Sequence, residues 1–262
     1  MNAGQRLNDI FTSAMNVPKA TELSTSAMWA HVFGLKSSAD VQRQVAPCLM
    51  ALNNEIDAVR AALVARKATQ LMLEPAFKRM KQAAEYSRLG APWKDFHGNI
   101  IAPEVRCALA WVAWAMPDEE DPIAVEALKA MLADVEALEE HANVEGVSPF
   151  IRELALQTAN SLRAGLTIYG VQGIAALGDA MQKIAGSVVL QDAHIEAEAK
   201  SATPQTRKVL ERMKAAMERV AKTADAADKW HKRVESIASI YDKAAALIDK
   251  YLPLLTGPGR DS

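Results

Sequence analysis

Residues 203–220 read TPQTRKVLERMKAAMERV, and this stretch decides the fold. Thr203 belongs to the residue types that cap helix N-termini, and Pro204 is favoured in the first helical turn. Apolar residues then recur at spacings of three and four, which places them on one face of a helix. They are Leu210, Met213, Met217 and Val220. Because no proline or glycine follows until Pro253, the stretch predicts a long C-terminal helix or a helical hairpin.

A second apolar stripe continues in a different helical phase. It consists of Trp230, Val234, Ile237, Tyr241 and Ile248, and the phase changes near residues 225–228, DAAD. An unbroken helix over residues 204–252 would be roughly 70 Å long at about 1.5 Å per residue, which is too long for one compact domain. We therefore predict a break near residues 225–228 or a contact with a partner. Both stripes are coiled-coil-like and predict an interaction surface.

The composition extends the helical prediction to the whole chain. Half of the 262 residues are apolar and 24% are charged, which excludes a disordered chain. With 12 glycines and 11 prolines, few positions interrupt helices. We predict an all-α, multi-helix bundle with three parts: a helical bundle domain over residues 1–200, a long C-terminal helical segment over 201–256 that packs on the bundle or on a partner, and a disordered tail over 257–262.

Four local patterns give more specific expectations. A helix is predicted to begin near Pro75. Residues 90–103, GAPWKDFHGNIIAP, lack helical periodicity and predict a packed loop. Residues 107–116, CALAWVAWAM, are apolar on nearly every side and predict the most buried helix. The glycines at 170 and 173 separate two apolar stripes, which predicts a joint within one bent rod or between two helices.

Charge excludes some partners and leaves others open. A net charge of −2 and a pI near 6.2 give no general attraction for nucleic acid, so we expect none to bind. Residues 117–145 are strongly acidic and residues 200–222 are strongly basic. These two segments could pair with each other or with a partner protein, and the basic one with anionic lipid or nucleic acid; solvated helix faces are the simplest interpretation.

Motifs for a cofactor or a metal are absent from the sequence. No phosphate-binding glycine loop, hydrolase elbow, paired Glu-x-x-His or calcium-binding loop occurs, so we predict no cofactor and no metal ion. Cys48 and Cys107 lie far apart in helical apolar patterns and predict two buried thiols. Together with an N-terminal stretch that lacks the apolar run of a secretion signal, they predict a cytoplasmic protein.

Histidines beside carboxylates supply the only enzymatic hypothesis. His97 follows Asp95, and His194 lies between Asp192 and Glu198, so either imidazole could act as a general base. A solvated contact on a helix surface is the simpler interpretation of both.

An apolar stripe within residues 165–189 supplies a membrane hypothesis. Its members are Ile174, Leu177, Met181, Ile184 and Val188. An amphipathic helix of this kind could insert into a membrane surface when it is released from the bundle, as in an effector of phage defence or growth arrest. The same stripe also fits a core helix.

Several phrases suggest a family. These are TSAMWAHVFGL at 25–35, LEPAFKRMKQA at 73–83, the pair Pro92 and Trp93, and the stretch from SPFIREL to AGSVVL over 148–190. Over about residues 5–190 the chain resembles a recurring group of bacterial all-helical proteins of unassigned function. The resemblance implies a bacterial cytosolic origin and an all-helical fold, and it assigns no functional residue.

These observations favour a non-enzymatic helical scaffold or interaction protein. We expect it to act through a protein partner or a homo-oligomer, with contacts made by the two C-terminal stripes. The membrane-acting effector is the alternative, and an enzyme that uses His97 or His194 is the third hypothesis.

Overall fold

The computed structural model describes residues 1–18, 23–35, 38–199, 203–228 and 237–251. Within these residues the chain forms twelve α-helices, one short 3-10 helix at Tyr86–Arg88 and no strand, which confirms the all-α, multi-helix prediction. The helices are α1 (Ala3–Met15), α2 (Thr25–Val32), α3 (Val41–Ala65), α4 (Gln70–Ala83), α5 (Lys94–Ile100), α6 (Pro103–Ala115), α7 (Val125–Ala142), α8 (Pro149–Gln172), α9 (Ile174–Leu190), α10 (Asp192–Ala199), α11 (Pro204–Ala227) and α12 (Ile237–Tyr251).

The helices form two compact units. The first unit comprises Met1–Glu120 with Thr167–Gly173, and the second comprises Asp121–Leu166 with Ile174–Ser262. The predicted boundary at residue 200 differs from this division, because α11 and α12 belong to the second unit. They pack there against α7 and α9, and the prediction had the segment over 201–256 pack on the bundle or on a partner. The predicted tail, 257–262, lies outside the described residues.

An aromatic cluster forms the centre of the first unit. The Trp29 side chain is fully buried, and its Nε1 donates to the carbonyl oxygen of Ala83 at 3.1 Å. The Trp29 ring stacks on Phe33 with centroids 5.5 Å apart and meets Phe11 and Trp93 edge-on. Because such pairs add about 0.5–1.5 kcal/mol each beyond burial, this cluster holds α1, α2 and the start of α5 together.

Helix α1 lies directly on α6. Asn2 caps α1 by accepting from the backbone N–H of Gln5 at 2.7 Å, and its Nδ2 donates to the carbonyls of Ala113 and Met116 at 3.1 and 2.9 Å. A Cβ at Gly4 would lie 2.5 Å from the carbonyl oxygen of Val112, closer than real contacts allow. The close approach of the two helices therefore depends on a glycine at position 4.

Helix α11 is the central helix of the second unit. As predicted, Thr203 caps it, because its Oγ1 accepts from the N–H of Thr206 at 3.1 Å. The helix ends at Ala227, which confirms the predicted break near residues 225–228. An ion pair joins Arg219 of α11 to Asp134 of α7, so part of the basic segment pairs with the acidic one.

Helices α8 and α9 are separate helices, and the bent rod is excluded. Gly173 joins them with a φ of +63°, in the left-handed region that favours glycine. A Cβ at Gly165 would lie 2.9 Å from the Cβ of Ala180, so the helix before the joint packs closely against the helix after it.

One predicted helix start and one predicted loop were wrong. Helix α4 begins at Gln70 and contains Pro75 in its second turn, where proline removes one intrahelical hydrogen bond without ending the helix. The predicted loop at 90–103 contains α5, whose Phe96, His97 and Ile100 are buried on one side.

Candidate interaction surface

The structure places the predicted C-terminal interaction residues inside the second unit. Tyr241 is half-buried, and the other described members are buried: Leu210, Met213, Met217, Val220, Ile237 and Ile248. Trp230 and Val234 lie outside the described residues. A partner could reach the buried side chains only if α11 and α12 left the unit, so an interface through them stays a prediction.

The predicted membrane stripe is also covered. Ile174 is half-buried, and Leu177, Met181, Ile184 and Val188 are buried along α9. Among the helices of the described residues, none combines the length and the apolar character that a bilayer crossing requires. The membrane hypothesis stays a prediction that requires α9 to leave its unit.

His97 does not share a helix face with Asp95, whereas His194 and Glu198 lie four residues apart on one face of α10. His97 is buried edge-on against Trp93, and its Nε2 lies 3.4 Å from the carbonyl oxygen of Met15. Asp95 is exposed, because residues two apart point to different sides of a helix. His194 is exposed and stacks on Phe150, with ring centroids 5.6 Å apart. The enzyme hypothesis stays a prediction.

The described part of the chain contains no group of three His, Cys, Asp or Glu side chains placed to hold a metal ion. A groove of about 330 Å³ lies along α3 and α4, and three of its charged lining side chains form ion pairs, Arg60 with Glu74 at 2.5 Å and Lys81 with Asp57 at 2.7 Å.

A buried ionic cluster surrounds Arg6 in the first unit. The guanidinium donates to Glu55 at 2.8 Å, to Glu120 at 3.1 Å and to Glu119 at 3.3 Å, and its Nε donates to the Val171 carbonyl at 3.1 Å. It thereby joins α1, α3, the segment after α6 and the last turn of α8. A Cβ at Gly173 would overlap the Glu120 carboxylate. These contacts are structural, since each arm of the guanidinium is occupied by the protein.

The cluster shifts the pKa of both of its central groups. Burial raises the pKa of Glu55 above its ordinary value, although the charge of Arg6 acts in the opposite direction. Burial alone would lower the pKa of Arg6, but the carboxylates of Glu55, Glu120 and Glu119 raise it on balance. With three carboxylates around one guanidinium, a charged Arg6 is favoured and an ionised Glu55 is disfavoured.

Replacing Glu55 with Gln tests this electrostatic balance. A raised folded pKa means that Glu55 contributes stability that is present below its unfolded pKa, about 4.3, and is lost as the pH rises through the folded pKa. The wild-type protein should therefore gain unfolding free energy relative to Glu55→Gln as the pH falls from about 7 to about 5. Urea denaturation of both proteins at the two pH values measures the difference, and a constant difference would contradict the pKa shift.

Helix α6 carries an apolar stripe that faces solvent. Val105, Leu109 and Val112 are buried on one side, while Cys107, Ala110, Trp111 and Trp114 are exposed on the other at spacings of three and four. Trp114 is 81% exposed and Trp111 is 41% exposed. The prediction that this is the most buried helix was wrong, because its neighbours cover only the valine and leucine side. The prediction of a buried thiol holds for Cys48 and is wrong for Cys107.

Helix α4 adds further apolar side chains at the same end of the first unit. Arg79, late in α4, lies 2.6 Å from Glu104, early in α6, and Arg66 after α3 donates to the carbonyl of Ala115 at the end of α6. The start of α4 and the end of α6 therefore lie close together, with the two helices antiparallel. Leu71 and Met72, 87% and 73% exposed, begin α4, and Val64 ends α3. We call Val64, Leu71, Met72, Trp111 and Trp114 the tryptophan surface.

Charged side chains lie along the α1 side of the α6 stripe. Arg106 is exposed two turns before Ala113, whose carbonyl accepts from Asn2 at the start of α1. Asp118 follows α6, and its Oδ1 lies 3.5 Å from the amino group of Met1 with most of its side chain in solvent. A basic and an acidic group thus flank the same edge of the stripe.

Sequence reasoning missed the tryptophan surface, although one signal was present. Trp111 and Trp114 are three residues apart, and with Cys107 they share one helix face, opposite Val105, Leu109 and Val112. Two separate apolar faces on one helix predict two separate neighbours, one from the same unit and one from elsewhere.

Comparison of the chain with known protein families, curated proteins and solved structures found no match in any of the three. The resemblance to a group of bacterial all-helical proteins stays a prediction. A function for this chain must therefore be argued from its own residues and structure.

Proposed function

We propose that this protein is a non-enzymatic helical interaction protein of the cytoplasm, and that it binds protein through the tryptophan surface. The observation that carries the proposal is the exposure of Trp114, at 81%, on the same face of α6 as Trp111, with Leu71 and Met72 exposed at the start of the neighbouring α4. The two cysteines, Cys48 and Cys107, are free thiols, which is usual in a reducing compartment.

Exposed tryptophan is costly for an isolated protein and useful for a bound one. Tryptophan is enriched among the residues that dominate the energy of protein interfaces, and methionine is enriched in their cores. Contiguous exposed apolar side chains on a soluble chain mark an interaction site or an aggregation hazard. Arg66 and Lys67, both exposed at the α3–α4 turn, and Asp118 supply the polar rim that a specific interface needs.

Site-specific photo-crosslinking in the source organism tests this proposal. A benzophenone amino acid is placed at position 114 in one strain and at position 72 in another, and irradiation should give discrete covalent protein adducts from both. The matched control is position 190, because Leu190 of the second unit is as exposed as Leu71. Adducts at the control position equal to those at 114 and 72, or none at 114 and 72, would overturn the proposed function.

A further inference from the structure

We propose that the occupant of the tryptophan surface is a second copy of this chain, bound so that the two α6 helices pack antiparallel across a two-fold axis. This inference rests on the proposed function and names its partner. A two-fold interface uses the same patch on both copies, so the patch must be complementary to itself in shape and in charge.

The shape of the α6 stripe meets the first requirement. Its N-terminal half carries the small side chains of Cys107 and Ala110, and its C-terminal half carries Trp111 and Trp114. In the antiparallel register that sets Trp114 of one copy over Ala110 of the other, the Trp114 indole fills space that a small residue leaves open. The two-fold axis is then level with residue 112, so the Trp111 side chains of the two copies meet beside it.

The charges beside the stripe meet the second requirement in the same register. With Trp114 opposite Ala110, Arg106 of each copy lies just beyond the C-terminal end of the other copy's α6, where the chain continues to Asp118. A two-fold axis perpendicular to the helices keeps equivalent flanks on the same side, and Arg106 and Asp118 both lie on the flank towards α1. Two symmetric ion pairs therefore form at the edge of the contact, where they set orientation and register.

The exposed area is also of the right size. Covering the exposed parts of the tryptophan surface removes on the order of 600 Å² per copy, if a whole Trp side chain offers about 250 Å², and a standard interface buries about 800 Å² per partner including its polar rim. The surface thus supplies the apolar core of one standard interface.

Sedimentation equilibrium of the full chain over concentrations up to about 100 μM tests the inference, since specific dimers of this size dissociate in or below the micromolar range. We expect a dimer for the wild type. We expect Trp114→Ser to weaken it at least about 30-fold, as for the loss of a central interface tryptophan. Because Trp114 is mostly exposed, the melting temperature of that variant should equal that of the wild type at concentrations low enough for both proteins to be monomeric. Leu190→Ser is the matched control and should dimerise as the wild type does.

A charge swap tests the register. Arg106→Glu and Asp118→Arg should each weaken the dimer about tenfold or more, and the double variant should recover most of the loss, because only a pair across the axis is restored by the exchange. A dimer that persists in Trp114→Ser, or a double variant no better than the singles, would overturn the inference. A wild-type monomer at every concentration would overturn it too, and crosslinks from position 114 to a different protein would then leave the proposed function standing.

Discussion

Replacing Arg6 with Met is expected to lower the free energy of unfolding by about 3–5 kcal/mol at neutral pH. The change keeps most of the side-chain volume and removes the charge that neutralises Glu55 and Glu120, both of which are buried. It also leaves the Val171 carbonyl without its donor, so the last turn of α8 loses its bond to α1. Urea denaturation followed by circular dichroism measures the loss. Its size should shrink at lower pH, because protonated glutamates no longer need a guanidinium.

Arg60→Met is the control for this prediction. Arg60 makes an ion pair with Glu74 at 2.5 Å, but both side chains are partly exposed, and exposed pairs contribute about 0–1 kcal/mol. A loss below about 1 kcal/mol for Arg6→Met would mean that water reaches the cluster and solvates the carboxylates.

Replacing Gly4 with Val is expected to cost about 3 kcal/mol of unfolding free energy, at the upper end of the usual range for overpacking. Its Cβ would meet the backbone of Val112, which cannot rotate away as a side chain can. Helix α1 must then move off α6, and the hydrogen bonds from Asn2 to Ala113 and Met116 lengthen with it. Thermal unfolding and hydrogen exchange of the α6 amides report the displacement.

Gly98→Val serves as the comparison, since position 98 lies in α5 with nothing within 4 Å of the added Cβ. That variant should be as stable as the wild type or slightly more so, because valine favours helix over glycine by a few tenths of a kcal/mol. If the valine at position 4 changed the free energy of unfolding no more than the valine at position 98, the α1–α6 crossing would tolerate an added side chain and the prediction would be wrong.

Local signals in the sequence predicted the all-α fold and several helix ends. Thr203 and Pro204 marked the start of α11, and the phase change near residues 225–228 marked its end, because caps and periodicity act within one turn of the helix. The start of α4 and the presence of α5 were missed. Pro75 near a helix start costs only one hydrogen bond, and the repeat of Phe96, His97 and Ile100 is too short to stand out from a loop.

The candidate site was not predictable in the same way, because it depends on which faces are covered. The stripe of α11 and the stripe of α6 both consist of apolar residues at helical spacing. Helices α7, α9 and α12 cover the stripe of α11, whereas the stripe of α6 is exposed to solvent. Helical periodicity shows that one face of a helix is apolar. It does not show which other helix, if any, packs against that face. The packing partners of each helix decide which apolar face stays exposed, and they are separated from it by tens of residues in the chain.

The contrast between the two thiols makes the tryptophan surface chemically addressable. Burial raises the pKa of Cys48 to about 11, so this thiol stays protonated and shielded from alkylating reagents, whereas Cys107 faces solvent within the α6 stripe. A maleimide-linked spin label or fluorophore should therefore attach at one position without any engineered cysteine. Its signal would report occupancy of that surface in the natural sequence, and shielding from the reagent would footprint whatever binds there.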